Sequence, residues 1–151
     1  PKTRIYAAQP HGCSPVVTAI KENSDIIKPV KPKTISKSLA IGNPADGYYA
    51  VDTVRSTGGW AEEVTDSEIV EAIKLLAETE GIFTETAGGV TVGATKKLIE
   101  QGKIPKDESI VICITAHGLK TQEVLLDHLP KLVKIKPNII SFEQVLDKLN
   151  G

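Results

Sequence analysis

The sequence contains no methionine, one tryptophan, three histidines and two cysteines. Each scarcity excludes something. Cys13 and Cys113 stand far apart and form no C-x-x-C pair, so they read as reduced thiols of a cytoplasmic protein rather than as a disulfide frame. His11, His117 and His128 do not cluster with them. His11-Gly12-Cys13 offers two metal ligands at most, where structural zinc takes four, so no metal is expected. A net charge of -1 supplies no basic field for nucleic acid or an anionic membrane. No apolar run approaches the roughly 20 residues that span a bilayer, and no charged-then-apolar leader opens the chain. The sequence has no G-K-[ST] after a glycine loop, no Ser-His-Asp order and no paired catalytic carboxylates.

What is present describes an ordinary domain. Hydrophobic residues make up 40% and charged residues 25%, and 151 residues suffice for one real core. Arg4–Ala8 reads as a strand with almost no lead-in. Pro1 could follow removal of an initiator methionine, but a start inside a sheet favours a fragment of a longer polypeptide. Ser14-Pro15 then caps and opens a helix to about Glu22. Residues 23–38 hold Pro29 and Pro32 among Lys28, Lys31, Lys33 and Lys37, and read as an extended, solvated connection. Asn43-Pro44 predicts a second helix ending at Gly58-Gly59. Trp60–Val64 is a second strand.

Thr65-Asp66-Ser67-Glu68 is a capping box. Ile69, Val70, Ile73, Leu76 and Ala77 follow at helical spacing until Gly81. Glu85–Gly89 reads as a tight glycine turn into a helix closing near Gly102. Ser109–Thr115 is nearly all apolar and β-branched, the pattern of a strand buried on both faces in a parallel sheet, and Gly118-Leu119-Lys120 breaks it. Ser141-Phe142-Glu143-Gln144 predicts a capping box for a last helix to about Leu149. The alternation gives an α/β class, a mostly parallel open sheet flanked by helices in three αβα layers. Residues 1–128 are expected to form the main domain and 129–151 a C-terminal appendage.

In open α/β sheets ligands bind beyond the carboxyl ends of the strands. That rule singles out His11-Gly12, Thr115-Ala116-His117-Gly118 and the Glu85–Gly89 turn, with Ile41-Gly42-Asn43-Pro44 as a fourth candidate. A glycine turn before a helix can hold an anion on its free N–H groups. Each of these has a plainer reading as well: a turn, a dipole-matched glutamate, a satisfied threonine or a surface histidine. Pattern alone stops at an α/β domain with a possible anion site.

Four segments together go further. Lys33-Thr34-Ile35-Ser36-Lys37-Ser38-Leu39-Ala40-Ile41-Gly42-Asn43-Pro44-Ala45 resembles the substrate-side loop of threonine synthases, and Gly12-Cys13-Ser14-Pro15-Val16-Val17 resembles the segment before it. Glu80-Gly81-Ile82-Phe83-Thr84-Glu85-Thr86-Ala87-Gly88-Gly89 is similar to the E-G-I-F-x-E-P-A-G-G signature of fold-type-II pyridoxal-phosphate enzymes. Thr115-Ala116-His117-Gly118-Leu119-Lys120 is similar to a T-G-[NH]-G-L-K stretch near the C-terminus of threonine synthases. The matches run in collinear order over about residues 5–126. Thr86 stands where the signature has proline, and Ala116 where it has glycine.

The resemblance implies the C-terminal part of a fold-type-II large domain that uses pyridoxal 5'-phosphate to convert O-phosphohomoserine and water to threonine and phosphate, in an enzyme expected to be a homodimer. It places Thr115 at the pyridine nitrogen, Glu85, Ala87 and Gly88 at the ring edge, and Ile41, Gly42 and Asn43 on the substrate side. The family's Schiff-base lysine, in an S-x-K-[DN]-R stretch, and its glycine-rich phosphate cup do not occur in this sequence. By its neighbours Lys37 aligns with the substrate loop and is not that lysine, so the chain alone is expected to be inactive and to need a missing N-terminal half. A dehydratase-like relative is the nearest alternative, and a stand-alone non-catalytic domain the third. A sheet without its neighbours is expected to self-associate through its edge.

Overall fold

A computed structural model describes residues 3–150. Its centre is a parallel two-stranded sheet, β1 (Ala7–Pro10) beside β2 (Ala61–Val64), in register Ala7↔Ala61 through Pro10↔Val64. Residues alternate between the two faces, and helices cover both. On one side α1 (Pro15–Lys21) and α2 (Gly47–Ser56) bury Val16, Val17, Ile20, Val51 and Val54 against Ala7 and Ala61. On the other, α3 (Asp66–Glu80) and α4 (Thr86–Glu100) bury Ile69, Val70, Ile73, Val90 and Ala94 against Ala8 and Val64. The three-layer α/β arrangement is therefore present. α5 (Ile139–Asn150) follows at the C-terminal end. Among the described residues no helix is long and apolar enough to cross a membrane.

Local signals held best where a cap and a periodic face agreed. At α3 the Thr65 hydroxyl accepts from the Glu68 amide at 3.3 Å while the Glu68 carboxylate accepts from the Thr65 amide at 2.7 Å, and Gly81 closes the helix at φ 68°. Elsewhere a competing partner won. β1 begins at Ala7 rather than Arg4, because pairing starts opposite Ala61. Ser14 does not cap α1. A 3-10 turn, His11–Cys13, brings back the Gln9 side chain, whose Oε1 accepts from the Val16 and Val17 amides at 2.9 and 3.1 Å. α2 starts at Gly47, not at Asn43-Pro44, and Pro44 lies in the turn before it, its carbonyl accepting from the Gly47 amide at 3.3 Å. Gly88 and Gly89 sit inside the first turn of α4 rather than in a separate tight turn. Asn138, not Ser141, caps α5 by accepting from the Ser141 amide at 2.9 Å.

The largest correction concerns Ser109–Thr115. The segment is not a buried strand: it joins no ladder, and Val111 is 91% exposed, with Ile110 and Ile112 exposed beside it. A β-branched apolar run buries both faces only between neighbouring strands. The described sheet has two strands, and neither lies beside this run. Thr115 is exposed as well.

Candidate functional site

The motif residues fall into two groups. The first is built where residues 30–33 cross two glycines. The Lys33 amide donates to the Gly12 carbonyl, and the Val30 amide to the Gly42 carbonyl, each at 2.9 Å. A Cβ on Gly12 would lie 1.7 Å from the Lys33 oxygen, and one on Gly42 would lie 1.9 Å from the Val30 oxygen. The glycines thus allow backbone to touch backbone. Cys13 is buried in this crossing, and its burial pushes the thiol pKa up against the opposing pull of the Ile41 backbone. That is the setting of an inert cysteine. Ile41 and Asn43 project into solvent.

Asp66, at the first position of α3, fixes the loop from the other side. Its Oδ1 accepts from the Thr34 hydroxyl at 2.7 Å and from the Ile35 amide at 3.2 Å. Sequence reasoning read Asp66 only as part of a helix start.

The second group joins the start of α4 to residues 115–121. The Glu85 amide donates to the Ala116 carbonyl at 3.1 Å, and the Gly118 amide to the Phe83 carbonyl at 2.9 Å. Thr84 and His117 form an isolated antiparallel bridge, and the His117 ring meets Phe83 edge-to-face at 5.5 Å. Thr115 is thereby held one residue from the main-chain link to Glu85. The Glu85 carboxylate is buried, with the Lys120 ammonium 3.4 Å away. Gly88 has a packing reason of its own, since a Cβ there would lie 1.9 Å from the Thr84 hydroxyl.

Glu85, Ala87, Gly88 and Thr115 therefore come together, whereas no hydrogen bond among the described residues joins them to Ile41–Asn43. The two groups meet through packing: Ile35 and Leu39 from one and Phe83 from the other lie against the same core cluster as Val90 and Leu125. Two fully buried hydroxyls, Ser36 Oγ in the first group and Thr86 Oγ1 in the second, have no hydrogen-bond partner among the described residues. Buried polar atoms ordinarily find one, so these two stand out among the described residues. Thr121 carried no sequence signal as a site residue, and Lys120 stood only at the end of a motif, because their partners lie 35 residues away. A cavity of about 410 Å³ between α3 and α4 is lined by Glu68, Glu71, Lys74, Lys96 and others, and none of the motif residues of either group borders it.

Comparison with known proteins bears on these motifs. The profile of the pyridoxal-phosphate dependent enzymes matches residues 1–116. Threonine synthase of Methanocaldococcus jannaschii is 42% identical over 147 residues, which are 97% of this chain and 36% of that protein. Threonine synthase of Methanosarcina acetivorans is 36% identical over 95% of this chain and 36% of its own length. The chain thus spans little more than a third of these relatives. Among solved structures, threonine synthase from Escherichia coli superposes with a TM-score of 0.62 at 16% identity, covering 97% of this chain and 37% of that one. Maize serine racemase gives 0.54 at 21% identity over 83% of this chain and 39% of that one. At such identities the two superpositions speak for the fold alone.

Proposed function

Since this chain belongs to the pyridoxal-phosphate-dependent enzyme family, we propose that it is the C-terminal part of a threonine synthase, which converts O-phosphohomoserine and water to threonine and inorganic phosphate. One observation carries this reading. Identity to threonine synthases runs over 147 residues, past residue 116 where the general family profile stops. The part of the chain beyond the shared family region is therefore like threonine synthase too.

The residues present suit one side of such a cofactor. When bound, pyridoxal phosphate withdraws electrons from the substrate carbons, and the protein contributes binding and orientation. The exposed Thr115 hydroxyl suits the pyridine nitrogen: a neutral hydroxyl donates or accepts without forcing a full charge on the ring. The start of α4 is a source of N–H groups and positive dipole. The Glu85 and Thr86 amides are taken within the chain, which leaves those of Ala87 and Gly88 for the ring edge. Lys120 keeps Glu85 in place. The unpartnered Thr86 hydroxyl lies in the same turn. Ile41, Gly42 and Asn43 form the substrate wall, anchored from behind by the Gly42–Val30 contact.

The Schiff-base lysine and phosphate cup belong, in this reading, to polypeptide outside these 151 residues. That polypeptide also supplies neighbours for Ser109–Thr115 and for the exposed apolar residues of the C-terminal appendage, Ile139, Ile140 and Leu149 among them. The test is to combine the purified chain with the part of the M. jannaschii enzyme that it does not match. Phosphate release from O-phosphohomoserine, without deamination of threonine, is the expected result. Deamination of threonine without phosphate release would assign the chain to a dehydratase instead.

A further inference from the structure

The start of α4 is buried without a break from Thr84 to Val90, so its free amide groups cannot turn to water. Its N-cap residue, Glu85, provides no side-chain cap. The amide at the first helical position, Thr86, instead donates to the hydroxyl of Thr121 at 3.2 Å. Thr121 is itself fixed. Its amide donates to the Gly118 carbonyl at 3.0 Å, and its carbonyl accepts from the Val124 amide at 3.2 Å. The family signature given above has proline at position 86, and proline carries no N–H to satisfy. Threonine there brings a buried donor that needs an acceptor.

We propose that Thr121 is a positioning residue: its hydroxyl caps α4 from outside the helix and so fixes the turn that carries Glu85, Ala87 and Gly88. The importance of that turn rests on the functional reading above, but the contact does not, and the experiment uses only the chain itself. Glu85 has φ -71° and ψ 175°, the extended conformation preferred before proline, so Thr86→Pro is compatible with the backbone. Proline also removes the unpartnered Thr86 hydroxyl.

The experiment is a double-mutant cycle on the 151-residue chain, read by urea unfolding and by amide hydrogen exchange at residues 86–89. Thr121→Val should raise the unfolding constant about tenfold, the cost of one buried donor left unpaired, and speed exchange at Ala87 and Gly88. Thr121→Ser, which keeps the hydroxyl, should stay near the parent protein. In the Thr86→Pro background Thr121→Val should be close to neutral, because the donor is gone. The proposal is overturned if Thr121→Val costs the same in both backgrounds, or if Thr121→Ser is as damaging as valine. Either result would make the Thr121 contribution one of packing. Absence of phosphate release from the combined polypeptides would sink the threonine synthase reading and leave the cycle intact.

Discussion

Residues 61–73 and residues 109–115 each carry four valines and isoleucines, the first with acidic residues among them and the second with no charge, and they meet opposite fates. Val64, Ile69 and Ile73 are almost wholly buried, whereas Val111 is 91% exposed and Ile110 and Ile112 are exposed with it. The difference lies in the neighbours. β2 has β1 alongside and helices on both faces, while 109–115 joins no strand among the described residues, and the backbone links to residues 83–85, at Ala116–Gly118, lie just beyond its end. Apolar composition therefore marks a segment that is meant to be covered, and the covering depends on what stands next to it. In our reading the cover for 109–115 is the remainder of a threonine synthase.

The sharpest way to break this comparison is to truncate one side chain in each region. Ile73→Ala should destabilise the chain by about 2–5 kcal/mol, the usual result of emptying a packed site. Val111→Ala should change it by less than about 0.5 kcal/mol. Equal losses in urea unfolding would mean that 109–115 is packed after all. Gly12→Ala comes next, at about 1–3 kcal/mol, because the new methyl would meet the Lys33 carbonyl. Thermal unfolding checks it, and Ala40→Gly in the same loop serves as a control that adds no atom. Thr65→Ala should cost about 1 kcal/mol through loss of the α3 cap, again measurable in urea.

A smaller effect depends on pH. Burial disfavours the Glu62 carboxylate, but the Lys21 ammonium at 2.5 Å, the Glu63 amide and the Gln101 side chain outweigh it and hold the pKa below the ordinary value. A carboxylate with a lowered folded-state pKa stabilises the fold above the unfolded-state value, near 4.5. That contribution is lost as pH falls through the lower folded value. Glu62→Gln should flatten the acid limb of the stability profile below that point. An unchanged slope would remove Glu62 from the account.

The helical half of the fold was legible because its signals are local. The Thr65–Glu68 box and the Ile69, Val70, Ile73 spacing fix α3 within a few residues of themselves. Gln9 capping α1 and Asn138 capping α5 were not legible, since serines stood at the expected places and only tertiary geometry decides between the candidates. The Ser109–Thr115 pattern announced a buried strand that the fold does not form, because burial requires neighbours that composition cannot supply. In the site, the motifs identified Glu85, Ala87, Gly88 and Thr115, which the fold does bring together. They gave no hint of the contacts that Asp66, Lys120 and Thr121 make, which join residues 31 to 35 positions apart.

The central claim is that residues 109–115 are an uncovered wall of a cofactor site that other polypeptide completes. Amide hydrogen exchange across this segment tests it most directly, measured on the chain alone and again with pyridoxal phosphate and the unmatched part of the M. jannaschii enzyme. The account predicts rapid exchange from Ile110 to Thr115 in the chain alone and strong protection in the combination. Equally rapid exchange in both, with the two polypeptides bound, would contradict it.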